Sequence, residues 1–196
     1  KNVISKIAPH DSIERYTELG VECIQGEAKI ISPFLVEVAG KQISTRSIVL
    51  ATGASPFVPP IPGLADIDYV TSDSIWNLNS LPEKLLVVGG GPIGCELAQA
   101  FSRLGSEVTQ VDIVSKPLPR EDEIVSDYML ENFQQEGIKF LGEHQVLRFQ
   151  KQAGLNQATL KKDENEITLE FDVALLAIGR KANIQGFGLE ALGLET

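Results

Sequence analysis

The chain has 196 residues, 43% of them hydrophobic, with a formal net charge of −10 and an isoelectric point near 4.7. That is the composition of an ordinary globular protein. It excludes a nucleic-acid binder, which needs clustered Lys and Arg, and no apolar run approaches the ~18 residues of a membrane helix. The first ten residues lack a signal-peptide layout, so the expected location is cytoplasmic. Two well-separated cysteines, Cys23 and Cys95, and two histidines, His10 and His144, support neither a disulfide framework nor a metal site. The chain does not begin with Met, and its only methionine is Met129, so it is expected to be cut from a longer protein.

Asp11 to Gly20 reads as a short amphipathic helix, with Asp11 or Ser12 as its cap and Gly20 as its stop. Four β-rich stretches follow, at Val21–Ile24, Ala28–Ile31, Leu35–Val38 and Gln42–Ser44, broken by Gly26, Pro33 and Gly40. They suggest a small antiparallel meander. Ser47–Ala51 is a continuous apolar run, the pattern of a strand buried on both faces, and it leads into Thr52-Gly53-Ala54. A proline-rich connection passes through Pro56 to Gly63, and a domain boundary is expected near Ser80.

From Lys84 the order becomes strand, helix, strand, helix, strand. Lys84–Val88 is apolar. Pro92–Leu104 places Ile93, Leu97, Phe101 and Leu104 near a helical period and ends at Gly105. Glu107–Ile113 is a strand, Glu121–Glu136 a helix stopped by Gly137, and Ile138–Leu141 a third strand. This is a βαβαβ unit and calls for a parallel sheet. A β-meander follows at Gln145–Phe149, Ala158–Lys161 and Ile167–Phe171, and then a last buried strand, Asp172–Ile178. The expected fold class is α/β. A Rossmann-type parallel sheet with a meander crossover spans residues 80–196, and residues 1–79 form a separate β-rich portion.

The chemistry lies in Gly89-Gly90-Gly91-Pro92-Ile93-Gly94. Gly89, Gly91 and Gly94 fit GxGxxG, between an apolar strand and an amphipathic helix. The first glycine permits the tight turn, the second lets backbone approach a pyrophosphate, and the third lets helix and strand pack closely. The helix start then offers N–H groups and a positive dipole end to phosphate. Asp112 ends the next strand, 18 residues after Gly94. A carboxylate there accepts from ribose hydroxyls and repels a 2′-phosphate, so NAD(H) is expected over NADP(H), although Lys116 and Arg120 lie close enough in sequence to meet such a phosphate. Glu96 has two readings, a carboxylate favoured by the helix dipole or a group near the nicotinamide. Cys95 and Cys23 read as small buried hydrophobes, and His144 as a surface residue. No catalytic triad, carboxylate pair or metal cluster emerges, and no catalytic residue is expected within this stretch.

These motifs together resemble the pyridine nucleotide-disulfide oxidoreductases, a family that includes dihydrolipoamide dehydrogenase, glutathione reductase and mercuric reductase. Ser47–Ala54 (SIVLATGA) is similar to the family's second flavin-contacting motif and Pro59–Gly63 to the segment after it. Leu85–Asp112 is similar to the nucleotide-binding βαβ, and Val173–Asn183 (VALLAIGRKAN) to the strand and turn under the nicotinamide. Glu96 to Thr109 and Arg120-Glu121-Asp122 look closest to mercuric reductase-like members. The resemblance implies that Ala28, Ala51, Thr52 and Gly53 lie near FAD, making residues 1–79 part of a flavin domain. It implies that Gly89 to Gly94, Asp112, Val146 and Gly179 contact NAD, with Glu96 at the nicotinamide end. It further implies a parent enzyme that passes hydride from NADH to FAD and electrons on to a disulfide, thiol or metal acceptor. The fragment itself would be inactive. The first flavin motif and the redox cysteines would lie upstream, and a C-terminal domain joining a homodimer downstream. Ala182 stands where the family usually has proline. Two other parents fit the same fold: an NADH oxidase, peroxidase or ferredoxin reductase-like flavoprotein without a disulfide pair, and a non-catalytic NAD-sensing module. The flavin-like ATG motif argues against the latter.

Overall fold

A computed structural model describes residues 2–194 and divides the chain into two compact units, residues 54–182 and a smaller one made of residues up to 53 with 183–194. The division falls at Gly53/Ala54 instead of near Ser80, for a topological reason. The three-residue strand Tyr69–Thr71, too short to stand out in the sequence, joins the parallel sheet as its edge. Residues 54–79 therefore fold with the glycine motif. At the other end, the Ile30 N–H donates to the Phe187 carbonyl, which ties the last residues to the first meander.

In the smaller unit, helix α1 (Asn2–Ile7) precedes α2 (Ile13–Glu18), which Ser12 caps by accepting from the Arg15 N–H at 3.2 Å. Strands β1 (Ala28–Ser32), β2 (Leu35–Val38) and β3 (Lys41–Ser44) form the expected antiparallel meander. Two expected strands do not form. Val21 instead closes the α2 turn, its N–H donating to the Tyr16 carbonyl at 3.0 Å. Ser47–Ala51 is irregular and uncovered, with Val49 88% exposed. An apolar run becomes a buried strand only beside neighbours that take its hydrogen bonds and cover its faces, and no strand of this unit pairs with it among the described residues.

The larger unit opens with β4 (Ala54–Pro56) and β5 (Tyr69–Thr71). It continues with β6 (Lys84–Val88), α3 (Pro92–Leu104), β7 (Glu107–Val111), α4 (Glu123–Gln135) and β8 (Lys139–Leu141). The meander strands β9 (Gln145–Gln152), β10 (Leu155–Lys162) and β11 (Asn165–Phe171) come next, and then β12 (Val173–Leu176) and β13 (Arg180–Ala182). The parallel sheet has the order β5-β12-β6-β7-β8. Its central strand reads as an unbroken apolar run because both faces are covered. Leu85 and Val87 pack with Cys95 and Ala98 of α3 and Phe133 of α4. Leu86 and Val88 pack on the other side with Phe149, Leu160 and Phe171 of the antiparallel β9–β10–β11 sheet. The result is three layers, with helices and meander on opposite faces of the parallel sheet.

Candidate dinucleotide site

Beyond the carboxyl ends of β6, β7 and β12 lies a cleft of about 750 Å³. The chain winds from β6 through β7 to β8 on one side, while β12 lies on the other, so the sheet reverses its order at β6. Open α/β sheets bind ligands at such a reversal.

The glycine motif forms the cleft's floor, and its glycines divide the work. Gly89 has φ +114°, a conformation that L side chains rarely adopt, and a Cβ there would overlap the Ala177 carbonyl at the end of β12. A Cβ on Gly94 would overlap the Gly89 carbonyl oxygen. Gly91 is the opposite case, since a Cβ there meets nothing within 4 Å. It lines the cleft as the N-cap of α3, and no side chain caps that helix start. The motif thus packs tightly on both sides and leaves its middle open at a positive helix end, the shape that a pyrophosphate requires.

The rest of the loop is held from several directions. The Gly89 N–H donates to the Val111 carbonyl at 2.8 Å, and the Leu118 N–H to the Gly90 carbonyl at 2.7 Å. The Gly90 N–H donates to Oδ2 of Asp112, whose Oδ1 accepts from the Val114 N–H at 3.2 Å. Asp112 therefore ends β7 in the cleft wall and also braces the loop. A carboxylate has about four acceptor positions, so these two bonds leave it free to accept from hydroxyls.

Among the other expected residues, Pro92, Ile93, Val146 and Gly179 line the cleft, while Gly90 and Gly94 are buried behind its wall. Glu96 is exposed on α3 and is not among the lining residues. Lys116 is turned away, with its ammonium 2.9 Å from Glu123 and 2.6 Å from Asp127. Arg120 lines the cleft. His144, expected as a surface residue, is half-buried in the cleft wall, with Nδ1 2.7 Å from the Gly142 carbonyl. Its position just after β8 was the available signal, because strand ends face this cleft. Arg180 was missed as a wall residue. Its guanidinium donates to Ser72 Oγ at 2.8 Å, to Asp73 Oδ1 at 3.0 Å and to the Ala54 carbonyl. Among the described residues, no group of three or more His, Cys, Asp or Glu is placed to hold a metal, and no helix is long and apolar enough to cross a membrane.

In the smaller unit the ATG motif is an exposed turn. Thr52 Oγ1 donates to the Asn183 carbonyl at 2.6 Å, and Asn183 Nδ2 donates back to the Thr52 carbonyl at 3.0 Å. The last residue of VALLAIGRKAN thereby fixes the turn that carries Ala51, Thr52 and Gly53. Ala28 stands exposed at the start of β1.

Cys95 is buried beneath the glycine loop, and burial pushes its thiol up to about 11. The unfolded thiol ionises near ~9 and the folded one later, so folding is unaffected below that value and weakens as pH climbs toward 11. Cys95→Ala should flatten this alkaline loss in denaturant titrations. In the native chain near pH 8, a thiol reagent should modify Cys23 quickly and Cys95 only after unfolding; equal rates would contradict the burial.

A parallel α/β sheet whose glycine loop meets a helix start at its switch point is the architecture of dinucleotide-binding proteins. The chain belongs to the pyridine nucleotide-disulphide oxidoreductases, whose family model matches residues 2–196. It is 32% identical over 194 residues to a mercuric reductase of Staphylococcus aureus, which covers 99% of this chain and 36% of that one. It is 38% identical over 168 residues to a dihydrolipoyl dehydrogenase of Mycoplasma pneumoniae, covering 84% and 36%. Among solved structures it resembles the HOCl-induced flavoprotein disulfide reductase RclA from Escherichia coli, with a TM-score of 0.77 and 29% identity over 93% of this chain and 42% of that one. The chain thus spans about a third of these two curated relatives. Members of the family use FAD and NAD(P)H.

Proposed function

We propose that this chain is the NAD(H)-holding portion of an FAD-dependent disulfide oxidoreductase, cytoplasmic and homodimeric as a whole protein. The observation that carries the reading is Gly91, open toward a 750 Å³ cleft at an uncapped helix start, with Asp112 in the same wall. In this reading Gly91, Pro92 and Ile93 hold the pyrophosphate, and Asp112 accepts from the adenosine ribose. Val146 and Gly179 border the dinucleotide along the cleft, and Glu96, exposed on α3 outside the cleft lining, serves the nicotinamide end from beyond it. NADH bound there supplies hydride to FAD, and the electrons pass to a disulfide, thiol or metal acceptor. Ala28, Ala51, Thr52 and Gly53 border the flavin.

NADH is favoured over NADPH by a charge in the cleft wall and by a cation held outside it. Asp112 repels a 2′-phosphate, and Lys116 is engaged by Glu123 and Asp127. The test is calorimetric titration of both cofactors against the chain, Asp112→Asn and Asp112→Ala. Asparagine keeps an acceptor for the Gly90 N–H and removes the charge. It should narrow the NADH preference about tenfold, equivalent to ~1.4 kcal/mol. Alanine also removes the brace and should weaken both cofactors. Tighter NADPH binding to the unmodified chain would overturn the cofactor choice, and binding of neither would overturn the site.

A further inference from the structure

The side chain of Gln110 is fully buried, on the helix-facing side of β7 between Val108 and the end of the strand. Its Nε2 donates to the Gly89 carbonyl at 2.7 Å and lies 3.7 Å from Cys95 Sγ. Cys95 Sγ in turn donates to the Gly90 carbonyl at 3.4 Å. Two consecutive carbonyls of the glycine loop are thus held from below by one buried amide and one buried thiol. The amide orientation follows from chemistry, since Oε1 in place of Nε2 would face the Gly89 oxygen with no proton between them. So oriented, Oε1 has no hydrogen-bond partner among the described residues. A buried unpaired carbonyl is a cost that a valine or methionine would avoid. Gln110 is therefore a poor choice for packing alone, and its one strong contact is with the loop.

We infer that Gln110 is the positioning residue of the glycine loop, fixing the Gly89 carbonyl so that Gly91 and the α3 N-terminus are preorganised for a pyrophosphate. The inference rests on the dinucleotide reading for its ligand but not for its geometry. With Gln110 holding the turn, the loop arrives at the ligand already shaped, and little ordering entropy is lost on binding.

The experiment compares the chain with Gln110→Met, a near-isosteric apolar replacement. Three quantities are read: the thermal midpoint, hydrogen exchange at the Gly89–Gly91 amides without ligand, and the NADH dissociation constant. Positioning predicts a midpoint little changed, because the substitution removes the unpaired Oε1 but leaves the Gly89 carbonyl without its donor. It predicts faster exchange confined to the loop and NADH binding weaker by about tenfold. Loop exchange and affinity both equal to the parent chain's would overturn it. So would a fall in midpoint with exchange rising throughout the unit, which marks a packing role. If the parent chain does not bind NADH, the functional reading fails while the exchange comparison still decides whether Gln110 holds the loop. Gln110→Glu gives a second readout: protonated, it donates to the Gly89 carbonyl, and ionised it cannot. Its loop protection should therefore return as pH falls, and pH-independent protection would count against the inference.

Discussion

Alanine at Gly94 should lower the thermal midpoint by about 6 °C and weaken NADH binding at least about a hundredfold. Local propensity predicts the opposite. Gly94 lies inside the first turn of α3, and glycine in a helix costs up to ~1 kcal/mol relative to alanine, so the helix alone would gain. Packing decides the sign. The new Cβ would overlap the Gly89 carbonyl oxygen and stand 2.9 Å from Gln110 Nε2. Both neighbours are fixed, the first by the turn and the second by burial within β7. Relief requires α3 to lift from β6, and overpacking of this kind costs about 1–3 kcal/mol or more, with ~2–4 °C lost per kcal/mol in a domain this size. The displaced helix start also carries the open Gly91 cradle, so binding falls with stability. Gly91→Ala separates the two effects: its Cβ meets only open space, so the midpoint should hold while NADH binding drops. Calorimetry on both variants checks this, and a Gly94→Ala chain at or above the parent midpoint would show that the close approach of α3 and the glycine turn is wrong.

What the sequence revealed and what it hid divide along a physical line. β6, α3 and β7 were legible because their signals are local: an unbroken apolar run, a helical period, a proline at the helix start and a glycine at its end. β4, β5 and β13 were not. Each has three residues, and each exists only because a distant segment pairs with it, as Lys181 does with Ser55 and Leu175 with Val70. Ser47–Ala51 failed in the reverse sense. Its apolar pattern is that of a buried strand, but pattern becomes structure only where a neighbouring strand pairs with it.

The site shows the same division. GxGxxG and Asp112 were readable because their spacing is set by one strand and one helix. The second job of Asp112, accepting from the Gly90 N–H, depends on how the loop folds back over β7. Lys116 read as a cation near the ribose, while α4 brings Glu123 and Asp127 to it. Gln110 was invisible for a different reason. A polar residue in mid-strand ordinarily marks a solvent face, and only the packing of α3 over β7 reveals that this one is sealed.

Phe133→Ala should cost about 3–5 kcal/mol of stability and leave the intrinsic NADH affinity of the folded chain unchanged. Phe133 is fully buried and is among the largest side chains sealed in the helix-facing core, packed with Leu85, Val87, Val108 and Ile138. Truncation loses the transfer energy of the ring and leaves a cavity, because the strands beneath are fixed by ladders on both sides and cannot close in. Arg103, Gln99 and Ser102 of α3 all bond Glu136, the residue that ends α4, which further limits collapse. The affinity is spared by geometry. The chain turns at Gly137 and enters β8 at Lys139, the amino end of a strand parallel to β7, whereas the cleft lies beyond the carboxyl ends. Phe133 therefore lies in the core behind the sheet, beside the turn into the amino end of β8, and lines no part of the cleft. Urea unfolding with and without saturating NADH distinguishes the outcomes: an equal increment in stability from the ligand in both chains supports this separation of core and site, and a smaller increment in Phe133→Ala would mean that the core packing shapes the loop.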